Sequence, residues 1–165
     1  CLLVETTAAE VDKSSNGSMS APNATTFDTN YTDGINTNGH TFVFMAWTSI
    51  PGYSAFGRYN GTGNNQGAFV YTGFRPKLVQ LRRIDGSGSY LVSNSVRRPF
   101  NDEDYRELYW NSTSNEQTGT NTHDGVDYLS NGFRLRGTNL GSQGSNNQYI
   151  YSAWADIPFR YSNPF

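Results

Sequence analysis

The sequence predicts an all-β fold in which short strands are joined by tight turns. Three features of its composition lead to this prediction. Aromatic residues make up 15 % of the chain, charged residues only 16 %, and there are 17 glycines among 165 residues. Aromatic residues favour strands and glycine favours turns, whereas the helix formers Ala, Leu, Glu and Lys are scarce. A chain of this length can bury one good hydrophobic core.

Strand candidates are recognised as apolar or aromatic runs bounded by turn residues. They are separated by polar connections, of which the longest, residues 11–40, is rich in Ser, Asn, Thr and Gly. That stretch predicts a long loop with one short hairpin at Asp33 and Gly34. The predicted strands, in chain order, are 2–6, 41–48, 55–59, 68–72, 77–84, 89–93, 106–111, 126–130, 132–137 and 148–155.

The clearest hairpin is "DYLSNGFRLR", residues 127–136. Asn131 and Gly132 can adopt the positive φ values that a two-residue turn between antiparallel strands requires. Beyond the turn, Phe133 and Leu135 should point to a buried face. The two arginines that alternate with them should then point to solvent, because successive side chains of a strand face opposite sides.

One strand occurs twice in the sequence. "TFVFMAWTSIP", residues 41–51, returns as "QYIYSAWADIP", residues 148–158, at an offset of 107 (158 − 51). Upstream of each copy, "LLVETTAAE" (2–10) aligns with "LYWNSTSNE" (108–116) at an offset of 106 (108 − 2). Two blocks in the same order at nearly one offset indicate an internal repeat.

The repeat predicts the domain organisation. Residues 52–165 form a complete module, which ends with the repeated strand. Residues 1–51 then form the second half of a preceding repeat, or an N-terminal extension packed on the main module. We expect the chain to begin part-way through a repeat.

The repeated strand is apolar or aromatic on both faces, which a strand of an ordinary two-layer protein does not need. One face should fill the core, and the other should meet a covering loop or a neighbouring subunit. Tyrosine side chains suit such a contact because they combine an apolar ring with a polar tip. The residues predicted to make oligomer or inter-layer contacts are Phe42, Phe44, Tyr149 and Tyr151.

Charge and hydropathy exclude two classes of partner. The net charge of −2 provides no basic surface, so we expect no nucleic-acid binding. No apolar run approaches the length of a membrane-spanning segment, so no membrane insertion is expected. The single cysteine, Cys1, rules out a disulfide within the chain.

No residue cluster indicates a reaction. The carboxylates are scattered through turns, and His40 and His123 stand alone in Asn- and Gly-containing loops. Neither a nucleophile motif nor a metal-ligand spacing is present, so we expect no enzyme, no metal site and no cofactor. A polysaccharide-degrading enzyme remains an alternative, because glycosidases need only two carboxylates brought together by the fold.

Five segments carry a resemblance to a known family. Their order over residues 52–165 resembles a concanavalin- or lectin-like β-sandwich domain of bacteriophage tail and tail-fibre proteins. The most telling segment is a Gly-Phe-x-Pro entry followed by an apolar strand that ends in basic residues and Asp. The five are "FGRYNGTG" (56–63), "YTGFRPKLVQLRRID" (71–85), "LYWNSTSNEQ" (108–117), "YLSNGFRLRG" (128–137) and "YIYSAWADIPFRYSNPF" (149–165).

The resemblance implies both fold and function. The implied fold is an antiparallel two-sheet sandwich of the jelly-roll or concanavalin type. The implied function is that of a virion surface protein on a tail or fibre, probing a host-surface glycan. Its partners would be other virion proteins and its own copies, since phage fibre tips are commonly homotrimers. The alternative is a purely structural fibre-shaft or decoration module that acts through self-association.

A glycan would meet the loops, where Asn, Ser, Thr, Gly and Tyr supply adaptable hydrogen bonds and stacking surfaces. The candidate loops are 60–67, 85–90, 119–125 and 139–147. Within them, the predicted ligand-binding residues are Tyr90, Asn121, His123 and Asp124. For each of these, a plain loop position is the competing interpretation.

Overall fold

A computed structural model describes residues 38–41, 45–97, 104–120, 125–138 and 143–156. Within these ranges no residue is helical, and the regular structure consists of strands. The strands are β1 (Ser54–Asn60), β2 (Phe69–Tyr71), β3 (Pro76–Arg83), β4 (Leu91–Asn94), β5 (Asp104–Tyr109), β6 (Gln117–Thr120), β7 (Gly125–Leu129), β8 (Gly132–Arg136) and β9 (Gln148–Ala155).

The strands form two antiparallel sheets. The large sheet has the order β1-β9-β3-β4-β5-β6, and the small sheet has the order β2-β8-β7. All the strand pairs in both sheets are antiparallel. The two sheets face each other across one hydrophobic core, which confirms the prediction of an all-β, antiparallel two-sheet sandwich.

The core is built from alternate residues of the facing strands, as the two-residue period of a strand requires. In the small sheet, Val70, Phe133 and Tyr128 lie side by side across its three strands. The Tyr128 hydroxyl donates a hydrogen bond to Ser93 Oγ of the large sheet, at 2.8 Å. The large sheet contributes Val79, Leu81, Leu91 and Ala153 to the core.

Eight of the ten predicted strands correspond to observed strands within the described residues. Strand β6 was missed, because "QTGT" is polar and has no apolar alternation. It is an edge strand that pairs only with β5, so the sheet imposes little apolar pattern on it. The predicted strand 2–6 and the hairpin at Asp33 and Gly34 lie outside the described residues.

The predicted strand 41–48 is wrong for the part that the structure describes. Residues 41 and 45–48 have no strand assignment. The nearest β-pairing is a single antiparallel bridge between Ile50 and Ser54. Its second copy, β9, occupies the position between β1 and β3. The central position between β1 and β3, which suits a strand that is apolar on both faces, is therefore occupied by the second copy.

The predicted hairpin at Asn131 is confirmed, but its turn lies one residue earlier. Leu129 pairs with Gly132, so Ser130 and Asn131 form the connection. Neither Asn131 nor Gly132 has a positive φ. The predicted faces of β8 are correct, since Phe133 and Leu135 are fully buried and the alternating Arg134 and Arg136 are partly exposed.

Candidate functional site

Tyr90, predicted to bind a ligand, is packed inside the structure and only 6 % exposed. The Arg82 guanidinium lies over its ring, 4.3 Å from the centroid, in a cation–π contact. Burial raises the pKa of the Tyr90 phenol, although the Arg82 charge acts in the opposite direction. The ring therefore offers no free face for stacking. The other three predicted ligand residues, Asn121, His123 and Asp124, lie outside the described residues.

Tyr149 and Tyr151, predicted to make oligomer or inter-layer contacts, lie on the inner face of β9. The Tyr151 ring meets Phe133 of the small sheet edge-on, with centroids 5.6 Å apart. The Tyr149 ring stacks on Tyr59 at 5.1 Å, and its hydroxyl accepts a hydrogen bond from Gly144 N at 2.9 Å. Both residues therefore belong to the interior of the sandwich. Phe42 and Phe44 lie outside the described residues.

These interior tyrosines are held in their neutral form. Burial raises the pKa of the Tyr149 and Tyr151 phenols. Burial, together with the neighbouring Tyr149 and Glu107, raises the pKa of Tyr59 well above its ordinary value. These phenols therefore stay protonated near neutral pH, because burial disfavours the charged phenolate.

The outer face of β9 is partly covered by residues of the same chain. Trp154 meets Phe56 of β1 edge-on at 5.5 Å and Trp47 at 6.1 Å. Trp47 is the equivalent of Trp154 in the repeat, at the offset of 107 (154 − 47). Part of the repeated strand therefore lies on the outer face of its own second copy.

The described parts of three candidate loops meet at one end of the sandwich. Gly61 N donates to Asn147 O at 2.9 Å, and Gly63 N donates to Gln143 O at 2.8 Å. At the same end, Asp85 Oδ2 accepts from Gln148 N at 2.9 Å. The loops 61–67 and 143–147 are thereby bonded to each other, and the loop 85–90 is bonded to the first residue of β9 beside them.

An exposed pair of aromatic rings lies next to this end, on the outer face of the small sheet. Phe69 and Tyr71 of β2 are 44 % and 66 % exposed, whereas Val70 between them points into the core. Phe69 is paired with Arg134 of β8, whose guanidinium Nη1 donates to Gln66 Oε1 at 3.3 Å. We call Phe69, Tyr71, Arg134 and Gln66 the aromatic patch.

Neighbouring polar contacts hold the patch in place. Arg136 Nη1 donates to Asn65 O at 3.3 Å, which ties the 61–67 loop to β8. The Arg136 guanidinium also pairs with the Asp127 carboxylate on β7. Arg136 is therefore compensated by a carboxylate, whereas the Arg134 guanidinium donates to the neutral amide of Gln66.

Gly132 explains why the Phe69 ring lies close to the sheet. A Cβ at position 132 would stand 2.1 Å from Val70 O and 3.2 Å from Phe69 Cε2. The ring thus covers the space that the missing side chain leaves. An aromatic ring that covers a glycine of the neighbouring strand stabilises the sheet and keeps its other side towards solvent.

A family model described as "Domain of unknown function (DUF7483)" matches residues 1–158. The chain belongs to this family. No curated protein and no solved structure matches it. The DUF7483 match runs through both predicted units, 1–51 and 52–165, and the division between them stays a prediction.

The patch of this DUF7483 chain combines two kinds of contact group. Aromatic rings provide a stacking surface, and the guanidinium and amide provide directional hydrogen bonds. In the part of the chain that the structure describes, no group of three or more His, Cys, Asp or Glu side chains converges as a metal site. Nor do the described residues contain a helix long and apolar enough to cross a membrane.

The sequence prediction of ligand residues did not include the aromatic patch. A signal was present in "AFVYT", residues 68–72, where aromatic residues occupy alternate positions around Val70. A strand with one aliphatic face and one aromatic face indicates an exposed aromatic surface once the aliphatic face is assigned to the core. The contribution of Gln66 and Arg134 depends on the strand register, which local sequence does not reveal.

Proposed function

We propose that this domain is a non-catalytic surface module of a bacteriophage virion, on the tail or a tail fibre, and that it contacts a host-surface glycan. The observation that carries the proposal is the aromatic patch. The resemblance of residues 52–165 to phage tail domains gives the biological setting. The sandwich provides the rigid base from which such a surface acts.

The chemistry of the patch favours a sugar over a flat apolar partner. The C–H bonds of one face of a pyranose ring are weakly positive and match the negative face of an aromatic ring. Hydroxyl groups at the sugar edge can then bond to the Gln66 amide, the Arg134 guanidinium and the neighbouring Asn64 and Asn65. A purely apolar ligand would leave these polar groups without partners.

The experiment measures binding of purified host polysaccharide, or of a glycan array, to the chain and to Phe69→Ala and Tyr71→Ala variants. We expect each variant to lose roughly tenfold or more in affinity, which is about 1.4 kcal/mol for a lost stacking contact. Trp110→Ala is the matched control, because Trp110 is an exposed aromatic residue on β5's flank and outside the patch. Binding that survives in both patch variants would contradict the proposal.

The non-catalytic part of the proposal has a separate test. The chain is incubated with the same polysaccharide, and new reducing ends are measured over time. We expect none above the buffer control. Steady release of reducing ends would replace this part of the proposal with a polysaccharide depolymerase.

A second candidate function, a structural module acting through self-association, is favoured by a different surface. Met45, Trp47 and Ile50 are 59 %, 53 % and 42 % exposed and follow one another closely in the chain. Exposed apolar residues at this density are typical of an interaction surface. Size-exclusion chromatography with light scattering tests it, with a homotrimer as the expected species. A stable monomer at micromolar concentration would contradict self-association and leave the glycan proposal standing.

A further inference from the structure

The two copies of the repeated strand have opposite environments. In β9, Ala153 is completely buried on the core side, and the strand is hydrogen-bonded to β1 on one edge and to β3 on the other. In the first copy, Ala46 is the equivalent of Ala153, and it is exposed, as are all of residues 45–50. The same sequence pattern is therefore buried within a sheet in its second copy and exposed to solvent in its first copy.

The open copy has the composition of an enclosed strand. Apolar side chains point to both faces of the pattern, which only a strand between two covered faces requires. In this chain Trp47 contacts Trp154, but it keeps about half of its surface exposed. Within the described residues, the segment's only β-bridge joins Ile50 to Ser54. Exposed apolar surface of this kind is unfavourable unless a partner covers it.

We infer that residues 45–50 can form a central strand of a β-sheet that this chain does not supply. The strands that would pair with residues 45–50 are a second copy of the two strands that enclose β9, namely β1 and β3. In this chain that position is filled, because β9 lies between β1 and β3. The partner is therefore another copy of the half-module equivalent to residues 52–107, in which the position between the β1 and β3 equivalents is open. This inference does not depend on glycan binding.

The contact between Trp47 and Trp154 would then be a contact between successive modules. In a completed preceding module Trp47 would lie on the outer sheet face, as Trp154 does here. Since Trp47 contacts Trp154 at 6.1 Å, successive modules would meet through equivalent residues on the outer faces of their large sheets. A contact between equivalent residues is self-complementary, so it joins modules in pairs.

The test adds residues 52–107 in front of Cys1 of the full chain, because the repeat offset makes them the half-module that complements residues 1–51. Hydrogen exchange of residues 45–50 is compared between this extended chain and the natural chain. We expect exchange in the extended chain to slow by about a hundredfold or more, as for strands within a cooperative unit. Unchanged exchange, with the added residues unfolded, would overturn the inference.

A matched control carries Leu81→Asp only in the added copy. Leu81 of β3 is fully buried, and a charge there prevents the added sheet from forming. We expect this control to exchange like the natural chain at residues 45–50. Slow exchange in the control would show that the added sheet is not the partner, and it would also overturn the inference.

A pair of substitutions tests the equivalence of the two copies. In the natural chain, Ala46→Asp should leave the melting temperature within about 2 °C, because Ala46 is exposed, whereas Ala153→Asp should prevent folding. In the extended chain, Ala46→Asp should restore fast exchange at residues 45–50. If Ala46→Asp has no effect there, the segment does not enter the sheet with Ala46 on the core face, and the inference fails.

Discussion

At the level of single residues, glycine is needed at position 132 for a reason that differs from the one its sequence context suggests. Asn-Gly in a hairpin suggests a turn that needs positive φ, yet neither residue adopts it. Gly132 is the first residue of β8, and a Cβ there would stand 2.1 Å from Val70 O. Glycine is required because the backbone of β2 approaches this closely, not because the turn needs its dihedral freedom.

Gly132→Ala should therefore destabilise the fold by about 2 kcal/mol or more, the range of overpacking a tight interior. Urea unfolding followed by fluorescence measures the change. Ser130→Ala, in the exposed connection of the same hairpin, serves as the control and should stay within about 0.5 kcal/mol. Equal stability of the two variants would mean that the strands separate at no cost and that the close approach is unimportant.

At the scale of elements, the two sheets are joined by a polar contact as well as by apolar packing. Tyr128 of β7 donates its buried hydroxyl to Ser93 of β4 at 2.8 Å. Both residues are almost completely enclosed, so each would lose its hydration without this bond. The bond also fixes one relative placement of the two sheets, since it has a preferred distance and direction that apolar contacts lack.

Tyr128→Phe should cost about 1 kcal/mol, the usual net value of a buried hydrogen bond, with the unpaired Ser93 hydroxyl included. A double-mutant cycle with Ser93→Ala measures the coupling, which we expect to be about 0.5–1 kcal/mol. Tyr71→Phe removes an exposed hydroxyl of the small sheet and should have no measurable effect on stability. Additive effects of Tyr128→Phe and Ser93→Ala would show that the bond contributes nothing.

At the scale of the whole molecule, the loops at one end tie distant parts of the chain together. Asp85, in the β3–β4 connection, accepts from Arg83 Nε at 2.6 Å and from Gln148 N at 2.9 Å, at the start of β9. Partial desolvation acts to raise the pKa of the Asp85 carboxyl. The hydrogen bonds from Arg83 and Gln148 and the Arg83 charge outweigh it, so the pKa lies below its ordinary value.

A lowered pKa in the folded state makes the Asp85 contribution depend on pH. The stabilisation is fully present above the unfolded-state pKa of about 3.9, and it is lost as pH falls through the lower, folded-state pKa. Asp85→Asn should cost about 1 kcal/mol at pH 7, and its difference from the natural chain should shrink towards zero in acid.

Chemical unfolding at a series of pH values from 7 to about 2 checks this prediction. Asp156→Asn is the control, since Asp156 pairs with Lys77 at an exposed position and should change stability by less than about 0.5 kcal/mol. A difference between Asp85→Asn and the natural chain that stays constant over the whole pH range would contradict the titration argument.

Much of the fold could be predicted from local sequence. The positions of eight strands, the hairpin before β8 and the buried face of Phe133 and Leu135 all follow from the two-residue period and from turn residues. These features depend on neighbours in the chain. The surroundings of Tyr90 could not be predicted in the same way, because it lies where a polar turn meets the predicted strand 89–93, and the Arg82 side chain that covers it comes from another strand.

Composition and the two-residue period are enough to assign an all-β chain with a repeated strand that is apolar on both faces. Pairing between distant strands sets which copy is enclosed, turns Tyr149 and Tyr151 towards the core, and leaves Phe69 and Tyr71 at the surface. The physical reason is that one position between β1 and β3 can hold one strand. Two segments with the same local pattern can therefore adopt different structures, because the pairing of strands depends on residues that are distant in the chain.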